Sequence, residues 1–200
     1  MKRPPTSACG TSCLKRSLRR YLFLASSLLA VGCAAPKSYY FLSAEGPAPA
    51  SGGIGIGVGP VVLASYLDRS NFVFQEGGNR MAIVESHRWA GELEENIARV
   101  TAVNLGRRLG TGNVRTYPWV GDGELRHQIS VDIRQFHGTS DGEAVLEAAW
   151  RVYSLPDRRM SAASSWSGSE PLRADGYDEL AAAQSRLLAR LAGEMAATVK

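Results

Sequence analysis

The chain has 200 residues, enough for one domain around a single core. Its formal charge of +4 resides in the first twenty residues, where Lys2, Arg3, Lys15, Arg16, Arg19 and Arg20 stand without an acid; residues 33–200 carry 17 Lys and Arg against 19 Asp and Glu, which leaves no basic surplus for nucleic acid. Two of the three cysteines, Cys9 and Cys13, lie in that leading segment, so with Cys33 alone beyond it a disulfide, a thiol nucleophile and a cysteine metal site are excluded from the body of the chain.

Residues 21–29 form an apolar run of nine after the basic segment. A bilayer-spanning helix needs roughly 20 apolar residues, so this run is too short to cross. A basic segment, a short apolar core and small residues before a break are the marks of a secretory leader. Leu29-Ala30-Val31-Gly32-Cys33 resembles the lipobox of bacterial lipoproteins, with Ala30 where leucine is commoner. The resemblance implies cleavage after residue 32 and acylation of the Cys33 thiol, palmitate being an expected acyl chain. The expected organisation is a signal peptide over 1–32 and one domain over 33–200. Ala34 stands where an aspartate would favour the inner membrane. The resemblance therefore implies an outer-membrane lipoprotein facing the periplasm, held by acyl chains worth about 0.8 kcal/mol per buried methylene.

A short strand is expected at 39–42, close behind the lipid, and a loop over 44–53. Gly53, Gly55, Gly57 and Gly59 recur with a strict period of two. A strand then carries glycine on one face and Ile54, Ile56 and Val58 on the other, with a backbone or helix lying close to the bare face. A dinucleotide fingerprint would need glycine where Pro60 stands, and a Walker loop would need Gly-Lys-Ser/Thr. An irregular turn over 64–70 precedes strands at 71–75 and 80–85, joined through Gly77-Gly78-Asn79. The spacing of Trp89, Leu93, Ile97, Val100 and Leu105 predicts a helix over 89–109, with acids at its start, Arg107 and Arg108 at its end and Gly110 as its stop. Glu95 and Arg99 are placed to pair one turn apart. A short strand at 113–117 ends at Pro118-Trp119. Residues 127–136 alternate apolar and polar, Asp141-Gly142 turns, and 145–153 and 160–167 follow as antiparallel partners. A closing helix over 176–199, with Asp175 as its N-cap, presents Leu180, Leu187, Leu188, Leu191, Met195 and Val199. The order indicates an α/β fold: a single domain with one mixed, mostly antiparallel sheet and two main helices packed on it.

Chemistry is sparse. His87, His127 and His137 have no ligand-like neighbours at motif spacing, and the last two lie about 30 Å apart along one strand. No metal site is expected and no His-Glu-x-x-His occurs. Ser12-Cys13-Leu14-Lys15 has the Ser-x-x-Lys spacing but lies in the leading segment. Gly138-Thr139-Ser140-Asp141-Gly142 has the Gly-x-Ser-x-Gly spacing but falls on the Asp141-Gly142 turn between two expected strands, not on a strand-to-helix elbow. Asp122 and Glu124 read as a solvated loop, and Trp89, Trp119, Trp150 and Trp166 as core rather than a lipid groove. No catalytic residue and no cofactor beyond the covalent lipid is expected.

Residues 58–119 carry a more specific pattern: Val58-Gly59-Pro60, then Tyr66-Leu67-Asp68-Arg69, Asn79, Arg88-Trp89, Leu93, Asn104-Leu105 and Tyr117-Pro118-Trp119. With the lipobox and Tyr39-Tyr40-x-Leu42, this resembles the PqiC family of auxiliary lipoproteins of ABC-type transport systems. The chain departs from it at Ala64-Ser65, Ser70 and Gly91-Glu92. The resemblance implies a domain like the anticodon-binding or TolB N-terminal type. It also implies a non-enzymatic role beside an MCE-domain protein that moves lipid across the periplasm and supports envelope integrity. The residues it singles out for partner docking, or for shaping the fold, are Tyr66, Leu67, Asp68, Arg69, Arg88 and Trp89. Self-association is left open. A lipoprotein that activates a cell-wall synthase or assists outer-membrane assembly is the alternative, though such proteins carry a longer tether; a lipid shuttle would need a cavity and no anchor.

Overall fold

The computed structural model describes residues 36–44, 46–49, 51–121 and 123–199; the leader, Cys33 and Asp122 lie outside them. Eight strands form one sheet: β1 (Ser38–Tyr40), β2 (Gly55–Leu63), β3 (Asn71–Gln75), β4 (Met81–Trp89), β5 (Val114–Thr116), β6 (Leu125–Thr139), β7 (Glu143–Ser154) and β8 (Arg159–Pro171). Two helices, α1 (Leu93–Leu109) and α2 (Tyr177–Thr198), pack on it and on each other.

The sheet runs β1-β4-β3-β6-β2-β5, and β7 and β8 continue from β6. β6 is its spine. Its first half pairs in parallel with β2, its last residues with β3, and its other edge takes β7 antiparallel. The β6-β7-β8 meander has the longest ladders, as the turn at Asp141-Gly142 and the alternation of both strands require. Ile129, Val131 and Ile133 of β6 and Leu146, Ala148, Trp150 and Val152 of β7 are buried beneath the helices. A bulge between Ile133 and Gln135 then resets the spine so that Phe136 still faces the core.

α2 lays Leu180, Leu187, Leu188, Leu191 and Met195 into this core, while Val199 lies past the helix end. Its N-cap is Gly176, with no side-chain cap; Asp175 does not fill that role. The first turn is secured instead by an ion-pair network: Arg186 donates to Glu179 at 2.6 Å and to Glu170 of β8 at 2.8 Å.

α1 begins four residues later than its apolar spacing suggests. Arg88 and Trp89 end β4 rather than open the helix. The Trp89 N–H donates to the Ser70 carbonyl at 2.6 Å and the Ala90 N–H to the Tyr40 carbonyl at 2.6 Å, so tertiary ladder bonds claim the backbone up to Ala90. Gly91 then turns the chain at φ 93°, a conformation that glycine adopts without the steric penalty of a β-carbon. The Asn96 amide closes the corner by donating to the Ala90 and Glu92 carbonyls. Arg99 does not turn to Glu95; it donates to the Leu42 carbonyl and to Asn96 Oδ1.

Candidate partner-docking site

The period-two glycines of β2 are covered by the segment that follows β5. A β-carbon on Gly57 would lie 2.7 Å from the Trp119 ring, and one on Gly59 2.7 Å from Tyr117 Cβ. On Gly55 it would collide with the Glu124 carbonyl. The bare face thus receives two aromatic side chains and a stretch of backbone, where the alternation alone required only that something approach closely. Tyr117 stands edge-on to Trp119, with ring centroids 5.5 Å apart. The Tyr117 N–H donates to the Val58 carbonyl at 2.9 Å, which fixes the segment across the strand.

This placement brings Tyr117 and Pro118 to one wall of a cleft of about 230 Å³. Leu63 and the Asp68-Arg69 turn form the second wall, and Glu92, Leu93, Glu94 and Glu95 at the start of α1 form the third. Leu67, fully buried, pins the turn into the core, while its N–H donates to Ala64 and that of Arg69 to Leu67. Asp68 is left exposed, and Arg69 is half-buried with its Nε buried and without an acceptor. Four carboxylates and one guanidinium line the cleft, so its field is acidic. Such a lining suits a basic or hydrogen-bond-donating segment.

Of the six residues singled out from sequence, only Asp68 and Arg69 reach this cleft. Tyr66 points elsewhere: its hydroxyl donates to the Arg134 carbonyl at 3.1 Å, and it borders a separate depression with Gln75, Met81 and His137. Burial, reinforced by the Glu147 charge, holds its phenol above the ordinary range. Leu67 and Trp89 are core residues. Trp89 stacks on Phe72 at 4.1 Å, not on Arg88; neighbours in a strand face opposite ways, and Arg88 lies 3.7 Å from Glu85. The cleft residues passed over as site residues were Tyr117, Pro118 and the acids of α1. Their signal was present in the glycine period, which demanded a cover, and in the first-turn acids, which the helix dipole alone explained.

The histidines pack. His87 shares a hydrogen bond of 2.7 Å with the Tyr40 hydroxyl and stacks on Tyr177 at 3.9 Å. His127 and His137 are buried in β6, and burial holds both imidazoles below their ordinary value. Trp150 is buried, whereas Trp119 and Trp166 are half-exposed, the latter beneath Arg190 at 5.2 Å. Glu124 pairs with Arg115. Among the described residues no three His, Cys, Asp or Glu stand close enough to hold a metal, and no helix is long and apolar enough to cross a membrane.

The family described as the ABC-type transport auxiliary lipoprotein component matches residues 40–196. The intermembrane transport lipoprotein PqiC of Escherichia coli (strain K12) is 22% identical over 196 residues, covering 92% of this chain and 98% of its own length; the PqiC of Shigella flexneri matches to the same extent. Among solved structures, an uncharacterized protein superposes with a TM-score of 0.68 at 19% identity, over 82% of this chain and 99% of its own. Protein XCC0632 from Xanthomonas campestris superposes with a TM-score of 0.64 at 15% identity, over 80% and 92%. These two likenesses show the fold.

Proposed function

The chain belongs to the family of ABC-type transport auxiliary lipoprotein components, and from that premise we propose that it is a non-enzymatic docking subunit, tied by acylated Cys33 to the periplasmic face of the outer membrane. Its partner is the MCE-domain protein of a system that moves lipid between the membranes and supports envelope integrity. The observation that carries the reading is the family match across the whole folded domain. The acidic cleft, which gathers the Asp68-Arg69 turn, the start of α1 and Tyr117-Pro118, is the docking surface it suggests.

Purification of the C-terminally tagged protein from gently solubilised envelopes, with mass spectrometry of what accompanies it, tests the reading. An MCE-domain protein is expected, reduced several-fold by Glu94→Lys/Glu95→Lys. Those side chains are exposed, and their reversal costs the helix only about 0.3–1 kcal/mol each through its dipole. Recovery of a cell-wall synthase or an assembly machine, with no MCE-domain protein, would replace this reading by the alternative. Cys33→Ala is expected to leave the outer-membrane fraction.

A further inference from the structure

The first edge of the sheet carries an aromatic stripe that the core does not use. Along this edge the side chains alternate. Tyr40 faces inward, edge-on to Phe72 at 5.2 Å, and Leu42 is fully buried. Lys37, Tyr39 and Phe41 face outward; Tyr39 is 62% and Phe41 65% exposed. The register sets Tyr39 beside Arg88 of β4, so a cation stands next to the stripe as well as within it, with Glu85 3.7 Å from the Arg88 guanidinium.

The stripe is held rigidly. β1 is laddered to β4, the Ala90 N–H binds the Tyr40 carbonyl, Arg99 binds the Leu42 carbonyl at 2.8 Å, and the Ser43 N–H donates to Ser185 of α2 at 3.1 Å. Two outward rings fixed this way are not the by-product of a loose terminus. They also stand close in sequence to the anchor: Tyr39 is six residues beyond Cys33, at most about 20 Å of extended chain. An amphipathic ring and an apolar one beside basic side chains match the headgroup boundary of a bilayer, where a tyrosine hydroxyl stays wet and a phenylalanine ring enters the acyl margin.

We propose that Lys37, Tyr39 and Phe41 form a second membrane contact, seated among the headgroups of the bilayer that the Cys33 lipid enters. The domain is then held in one orientation instead of swinging on its tether. This rests on the lipid-anchor reading above, and its test separates the two.

Single cysteines at Tyr39, Phe41 and Ser165 (the last on the exposed strand β8) would carry a nitroxide in the full lipidated protein. Acylation makes Cys33 itself blind to the label. The protein is reconstituted in vesicles of phosphatidylethanolamine and phosphatidylglycerol, and collisions with oxygen and with a nickel chelate are read by electron paramagnetic resonance. Chelate collisions at positions 39 and 41 are expected to be several-fold fewer than at 165, and oxygen collisions more frequent. In Tyr39→Ser/Phe41→Ser, which spares the core, a label at Lys37 is expected to regain chelate access. Labels at 39 and 41 that meet the chelate as freely as Ser165, on a chain whose mass shows an acylated Cys33, would overturn the contact and leave the anchor standing. Labels shielded from both reagents would report a protein neighbour and overturn it as well. A mass without acyl chains would remove the anchor, and the proposal with it.

Discussion

Gly57 shows how a single missing side chain organises the surface. Its α-carbon lies under the Trp119 ring, and a methyl group there would sit 2.7 Å from ring carbon. Gly57→Ala is expected to cost about 1–3 kcal/mol by overpacking, read as a lowered urea midpoint. Trp119→Ala should remove most of that penalty, so the double variant should be less destabilised than the sum of the two. His127 and His137 give a second residue-scale expectation. Burial favours their neutral form, and His127 Nδ1 is buried without a partner. Below the ordinary value of 6.5 the unfolded chain binds protons that the native chain resists. Stability should thus be level above that pH and fall as pH drops from it toward the folded values. Urea midpoints between about pH 7.5 and 5 should show the decline, and His127→Gln/His137→Gln should flatten it.

At the scale of elements, α2 is joined to β8 by charge as well as by its leucines. Arg186 is only 16% exposed and lies between Glu170 and Glu179. Its hydrogen bond, rather than distant charge, is the main influence that holds the Glu179 carboxyl below its ordinary value. Arg186→Ala removes the donor that the two acids share and leaves them the longer contacts, Arg190 and Arg173 at 3.5 and 3.8 Å from Glu170 and the Arg173 N–H at 3.3 Å from Glu179. Hydrogen bonds to charged groups of this kind contribute about 1.5–3 kcal/mol. A loss of that size is expected in chemical denaturation. It should persist at raised salt better than an exposed pair would, because partly buried charges are screened less. The start of α1 shows where element reasoning runs out. Apolar spacing from Trp89 onward fits a helix, yet Trp89 belongs to β4, because stacking on Phe72 and a bond to Ser70 outweigh a local preference. Periodicity reports which face is buried, and the last residue of a strand can share that face with the helix after it.

Across the whole molecule, the same sheet presents two unlike surfaces. The cleft between the Asp68-Arg69 turn, α1 and Tyr117-Pro118 is acidic and partly enclosed. The β1 edge is aromatic and exposed. The proposed tether at one end and docking by another surface require such a division, since one patch cannot meet a membrane and a partner at once. The cleft variants should alter capture of the MCE-domain protein without altering vesicle contact. Tyr39→Ser/Phe41→Ser should do the reverse, and the pair of measurements assigns each surface its role.

Much of this was legible in the chain itself. Alternation along β6 and β7, the turn at Asp141-Gly142 and the leucine stripe of α2 determined the meander and its covering helix, because strand and helix periods are local properties. The glycine period of β2 announced a covered face. The family, too, followed from short motifs along the chain. Tertiary structure alone decided what covers those glycines, that Arg88 and Trp89 part to opposite faces, and that Asp68, Arg69 and the acids of α1 share a cleft with Tyr117 and Pro118. Those residues are separated by long stretches of chain: the parallel pairing of β2 with β5 carries Tyr117 and Pro118 beside the turn that follows β2, and the packing of α1 on β2 brings its acids there. Parallel register is set by what lies between the strands, and a local pattern holds no record of it.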